Sequence, residues 1–188
     1  MLTNVKLVNF KSHRSTELNF DDSRLHALVG QNSSGKTSIL QAVYNLSQLT
    51  HTDFRTVFTH ENSPEFIATT GTSNTSVTGN GFSEYQNRKR LWKTCYEFEK
   101  GNDSSWSPFL SWEIEGKIEY EQLPEHTSWD SSLKTAPSLI VQALKYAVNL
   151  KLVSANLAKA FYSEAITPRV KFDGSGLAPT LDYLRNET

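Results

Sequence analysis

The chain has 188 residues and a mass of 21.2 kDa, which suits one globular core and leaves little room for two. Lys and Arg number 19 against 20 Asp and Glu, a net charge of −1, which excludes a chain-wide basic field for nucleic acid. No apolar run approaches the ~18 residues of a membrane-spanning helix. The N-terminus lacks the apolar stretch and small-residue cleavage site of a secretory signal, and the single cysteine, Cys95, excludes an internal disulfide or a cysteine-built metal cage. Both features suit a reducing cytoplasm.

Short strands are expected first. In "NVKLVNF" Val5 and Leu7 stand two apart, as do Leu18 and Phe20 in "TELNF", the period of a half-buried strand. "RLHALVG" is a compact apolar run that stops at Gly30 and reads as a buried strand feeding a turn. From Thr37 to Leu49 the residues Ile39, Leu40, Val43, Leu46 and Leu49 recur at helical spacing, opposite a polar face of Ser38, Gln41, Asn45 and Gln48.

Residues 51–80 are rich in Thr, Ser and Asn and predict strand edges joined by turns, or a mobile loop. Alternation returns in "LWKTCYEFE", with Trp92, Thr94, Tyr96 and Phe98 on one side. "FLSWEIEGKIEYEQL" reads as two strands broken at Gly116, with Glu113, Glu115, Glu119 and Glu121 on one wet face. The region 61–135 is the acidic part, with 12 carboxylates against 7 cations, and a solvated surface explains it. The four tryptophans, Trp92, Trp106, Trp112 and Trp129, fall here beside acidic neighbours, which favours core packing over base stacking.

After a polar linker, Pro124 to Ala136, proline stands at 137 where a first helical turn tolerates it. Ile140, Ala143, Leu144, Ala147 and Val148 then make a helical stripe. Residues 153–163 fit either helix or strand, and the tail from Arg169 reads as a short strand, a glycine turn and the start of a helix.

The segment that carries chemistry is Gly30-Gln31-Asn32-Ser33-Ser34-Gly35-Lys36-Thr37, which fills every fixed position of G-x-x-x-x-G-K-[ST]. At ~7% Gly per position, a match arises by chance in roughly one chain in a hundred of this length. The Walker A pattern has a physical basis. Successive backbone N–H groups must surround a phosphate, which demands small residues and glycine dihedrals. The following helix lends its positive end, Lys36 a point charge for the β- and γ-phosphates, Thr37 a hydroxyl for Mg²⁺, and Ser38 a further donor. The expected ligands are therefore ATP and Mg²⁺, with Lys36 as the catalytic cation.

"VKLVNFKSHRSTELNF" followed by "LHALVGQNSSGKTSILQAV" resembles the opening of the SMC, RecF and OLD-like ATPases, AAA-family proteins with an ABC-type head. Gln31 stands where that family commonly has proline, and Thr37 where it has serine. The tail "PRVKFDGSGLAPTLDYL" is similar to a stretch of many bacterial members. The resemblance covers residues 1–50 and, more weakly, 165–185. It implies an α/β fold, a P-loop NTPase of ABC/SMC-head type, here an N-terminal lobe over residues 1–188. Within it, 1–50 form the P-loop core, 51–135 an antiparallel β insert, and 136–188 a helical segment with the glycine-turn tail. It also places Lys11, Ser12, His13 and Arg14 near the adenine or the phosphates.

The same resemblance implies further parts. These are an apolar strand ending in Asp-Glu, an "LSGG"-like signature and a switch histidine. None can be placed. "RVKFD", ending at Asp173, is the nearest approach to the carboxylate strand, but Lys171 interrupts it, and a strand-to-turn aspartate is the simpler role. Gln122 and Gln142 match the family's Q-loop glutamine by letter only. Histidines 13, 26, 51, 60 and 126 lack zinc-motif spacing, and no Gly-x-Ser-x-Gly elbow is present.

The expectation is half of an ATPase head, cytoplasmic and not membrane-bound. It would hydrolyse ATP once a second lobe or chain completes it, as a homodimer of heads, with DNA or a nuclease as partner in repair or phage defence. Alone the chain should turn over ATP slowly or not at all. Two other functions fit the same loop: a small self-contained P-loop kinase, and a non-catalytic interaction module stabilised by nucleotide.

Overall fold

The computed structural model describes residues 1–23, 25–52, 54–58, 66–85, 87–103, 106–122, 136–144, 169–171, 173 and 175–186. They fall in two compact units, residues 1–147 and 148–188.

The first unit is built on one six-stranded antiparallel sheet. Its strands are β1 (Leu2–Phe10), β2 (His13–Asn19), β3 (Asn74–Tyr85), β4 (Arg88–Lys100), β5 (Trp106–Ile114) and β6 (Lys117–Gln122), in the order β2-β1-β3-β4-β5-β6. Thus the strands of region 51–135 continue the sheet begun by the N-terminal hairpin, through the β1–β3 pairing of Leu7 with Val77.

One face of the sheet is apolar. Val5, Leu7, Val77, Trp92, Tyr96, Phe98, Leu110 and Trp112 are all buried. Three described helices pack residues into the core beside it: α1 (Lys36–Gln48), α2 (Phe54–Val57) and α3 (Ser138–Leu144). They contribute Ile39, Ala42 and Leu46, Phe54, and Ile140 with Leu144. Ser47 Oγ donates to the Leu144 carbonyl at 2.7 Å, which ties α1 to α3. Beneath α2, Phe54 and Phe58 meet Phe98 edge-on, with ring centroids 5.7 and 5.3 Å apart, a favoured aromatic geometry.

The alternation expected in β4 is present: Trp92, Thr94, Tyr96 and Phe98 are the buried side. Trp112 is buried too and Trp106 packs against the core, while Trp129 lies outside the described residues.

Other expectations need correction. Residues 74–85 form a full twelve-residue central strand rather than strand edges or a mobile loop. Gly79 and Gly81 lie on its inner face because larger residues would collide there. A Cβ at Gly81 would sit 2.4 Å from the Trp92 ring, and one at Gly79 would sit 3.1 Å from Leu46. Asn45, assigned to the polar face of α1, is buried, with its amide beside the Tyr96 hydroxyl. Burial raises the Tyr96 phenol far above its ordinary range and keeps it neutral. Leu40, assigned to the apolar stripe, is 53% exposed. The register pairs Glu113 with Ile118 and Trp112 with Glu119. The two-residue turn Glu115–Gly116, both at positive φ, sets that register.

The largest departure concerns "RLHALVG". Residues 25–30 join no strand. Leu25 is 85% and Val29 94% exposed, with only Leu28 packed against the core. The run is apolar, but no partner strand lies beside it among the described residues, so its polar backbone cannot be paired in a ladder.

The described part of the second unit holds α4 (Leu177–Asn186). Asp173 Oδ1 accepts from the Ser175 amide at 3.0 Å and the Ser175 hydroxyl at 2.8 Å. These bonds hold its carboxyl below the usual range, the pattern of an Asx turn. Residues 169–171 join no strand. Of the linker Pro124 to Ala136, residues 124–135 lie outside the described residues, as do 153–163, while Ala136 is buried in the core rather than in a polar linker.

Candidate functional site

The candidate site is the loop between residue 30 and α1. The helix starts at Lys36, one residue earlier than its apolar stripe predicts, and has Gly35 at its N-cap with φ +86° and no side-chain cap. Its first-turn N–H groups are therefore not taken by a capping side chain, and no acidic residue lies in that turn. Both facts leave the helix end receptive to an anion.

The loop curls through two left-handed residues, Ser33 at φ +65° and Gly35, the kind of backbone that can turn successive N–H groups toward an anion. The Ser34 amide donates to the Gln31 carbonyl at 3.3 Å, closing a tight turn. Gly30 to Ser34 and Thr37 are exposed, whereas Gly35, Lys36 and Ser38 are half-buried. The Thr37 side chain is therefore free to meet a ligand from solvent.

Lys36 folds back over its own loop. Its ammonium donates to the carbonyls of Gly30 at 2.9 Å and Gln31 at 2.6 Å, and to Ser34 Oγ at 3.2 Å. Those three bonds use all three of its donors. The charge is thus held at the loop itself, within reach of any anion that the loop binds.

The β1–β2 turn closes the other side. Lys11 Nζ donates to Gln41 Oε1 of α1 at 2.8 Å. His13 is 7% exposed, with Nε2 3.1 Å from the Gly35 carbonyl and Nδ1 2.9 Å from Thr16 Oγ1. Ser12 also approaches Gly35, while Arg14 is exposed. Gly35 is required twice over. Its φ disfavours a side chain, and a Cβ there would lie 2.3 Å from His13 Nε2 and 2.7 Å from Ser12 Oγ. All nine residues from Gly30 to Ser38 singled out from sequence thus form one continuous loop and helix start. Thr16 and Gln41, which hold its flank, were not legible, because their roles depend on contacts distant in the chain.

No group of three or more His, Cys, Asp or Glu among the described residues is arranged to hold a metal. A cavity of about 300 Å³ opens among Thr3, Asn80, Leu91, Lys93, Glu113 and Glu115. Its lining includes no residue of the loop. No described helix is long and apolar enough to cross a membrane.

Comparison with known proteins places the chain in a family. Over 43 residues, 23% of its length, the chain is 46% identical to the DNA double-strand break repair Rad50 ATPase of Methanococcus maripaludis, of which this covers 4%. Over 104 residues, 54% of its length, it is 30% identical to the DNA replication and repair protein RecF of Francisella tularensis, from the subspecies mediasiatica and novicida alike. The chain spans 29% of those RecF proteins. Residues 1–134 match the AAA ATPase domain family, and the chain belongs to that family.

Proposed function

We propose that residues 30–38 are a Walker A P-loop that binds Mg·ATP, in the N-terminal lobe of an ABC/SMC-type ATPase head. The observation that carries this reading is the pairing of a left-handed loop at Ser33 and Gly35 with the Lys36 ammonium held over it. The residues fit the ligand. Backbone N–H groups of the loop and the first turn of α1 would take the phosphates. Lys36 would exchange its carbonyl partners for phosphate oxygens, which are stronger acceptors for a cation. The exposed Thr37 hydroxyl would hold Mg²⁺, with Ser38 adding a donor. Mg²⁺ would neutralise phosphate charge.

A second lobe is supported by Leu25 and Val29. Two large apolar side chains more than four-fifths exposed, on the segment entering the loop, gain by being covered. In this reading a strand from a further lobe or chain pairs with residues 25–29 and brings the carboxylates that position Mg²⁺ and water. The boundaries 1–50, 51–135 and 136–188 then describe the parts of one lobe, and the chain alone turns over ATP slowly. The names of the RecF and Rad50 relatives support a role in DNA repair, and we extend the proposal, on the family resemblance alone, to a cytoplasmic pair of heads with DNA or a nuclease as partner, in repair or phage defence.

Calorimetric titration with ATP tests the binding claim. The wild-type chain should bind saturably in the presence of Mg²⁺. Thr37→Ala should weaken that binding by ~10-fold, about 1.4 kcal/mol, and leave binding in EDTA unchanged. An equal affinity of both proteins for Mg·ATP would remove Thr37 from the metal site.

A further inference from the structure

We infer that His13 is a positioning residue that aims the backbone of the phosphate-binding loop, an inference that rests on the Walker A reading. The imidazole is 7% exposed, yet both of its nitrogens are partnered. The Gly35 carbonyl can only accept, so Nε2, 3.1 Å away, carries the proton and donates it. Nδ1 of the neutral ring is then an acceptor, and the Thr16 hydroxyl, 2.9 Å away, donates to it. The Gly35 carbonyl thereby selects the ring's tautomer, and Thr16, whose hydroxyl can donate or accept, holds the ring's orientation.

The bonded carbonyl matters because of where it sits. The Gly35 oxygen also receives the first bond of α1, from the Ile39 amide at 3.1 Å. The peptide that carries it continues into the Lys36 N–H, and in a planar trans peptide the C=O and N–H point in opposite directions. Holding the oxygen toward His13 therefore aims the Lys36 N–H away from His13. That N–H is one of the donors a phosphate in the loop requires. Gly35 has no side chain to restrict its rotation, so the plane needs an outside restraint. The close fit of Gly35 against His13 and Ser12, with the Lys11–Gln41 bond one turn further along α1, makes the β1–β2 turn that restraint. His13 touches no ligand in this arrangement and acts through the loop.

The test combines spectroscopy with binding. In the full chain labelled with ¹⁵N, the His13 imidazole should be in the Nε2–H tautomer. A wild-type His13 in the Nδ1–H tautomer would overturn the inference whatever the variants do. His13→Ala should bind both Mg·ATP and inorganic pyrophosphate ~10-fold more weakly, the effect of one lost hydrogen bond. His13→Gln, whose amide can donate to the same carbonyl, should recover affinity to within ~3-fold of wild type. Unchanged affinity in a folded His13→Ala, or equal losses in the Ala and Gln variants, would overturn the positioning role. If His13→Ala does not fold, Thr16→Val carries the binding test, with an expected loss of ~3-fold or more, and wild-type affinity there would count against the inference. A wild-type chain that binds neither probe would instead remove the Walker A reading, while the tautomer would still report on the contact itself.

Discussion

Lys36→Ala should weaken Mg·ATP binding by roughly 100-fold or more while leaving the fold intact. Among the described residues the Lys36 ammonium is the side-chain cation bonded to the loop, through Gly30, Gln31 and Ser34. Hydrogen bonds to charged groups contribute ~1.5–3 kcal/mol each, and a hundredfold loss corresponds to about 2.7 kcal/mol. Stability should change little, because these bonds are solvent-exposed and the side chain fills no part of the buried cluster. Calorimetry beside a urea titration separates the two effects. Wild-type affinity in the variant would remove the lysine from the site, and a large loss of stability would mean that its bonds hold the loop together.

Phe98→Ala should destabilise the first unit by ~3–5 kcal/mol, the usual cost of removing a buried phenylalanine. Phe98 is fully buried and meets both Phe54 and Phe58 edge-on, and Phe58 meets Tyr96 in turn. Deletion would empty the space between β4 and the segment after α1. Leu91→Ala, on the same strand but 64% exposed, should change stability by less than ~0.5 kcal/mol. The urea midpoints of the two variants give the comparison. Similar shifts would contradict the placement of the core on the Phe98 side of β4. Folded domains are stable by only ~5–15 kcal/mol, so Phe98→Ala should also lower the folded fraction at elevated temperature.

What the sequence revealed depended on how locally each feature is determined. The loop at Gly30–Thr37 was legible because phosphate binding restricts residue types within eight consecutive positions. The strand β4 was legible because four large or β-branched residues alternate on its buried face. The strand β3 was hidden because its inner face is deliberately small in shape: Gly79 makes room for Leu46 and Gly81 for Trp92, so the usual apolar alternation is missing. Asn45 misled because burial beside Tyr96 depends on a residue 51 positions away. Conversely, residues 25–29 have the composition of a buried strand and, Leu28 apart, are exposed, since burial needs a partner strand and composition cannot supply one.

The most direct test of the account is to follow the backbone amides of the ¹⁵N-labelled chain by NMR during titration with Mg·ATP. The account predicts saturable shifts concentrated at Gly30 to Ser38, with smaller ones at Ser12 and His13. Saturable shifts confined to the cavity near Thr3, Asn80 and Glu113, or the absence of shifts in a folded sample at millimolar nucleotide, would contradict it.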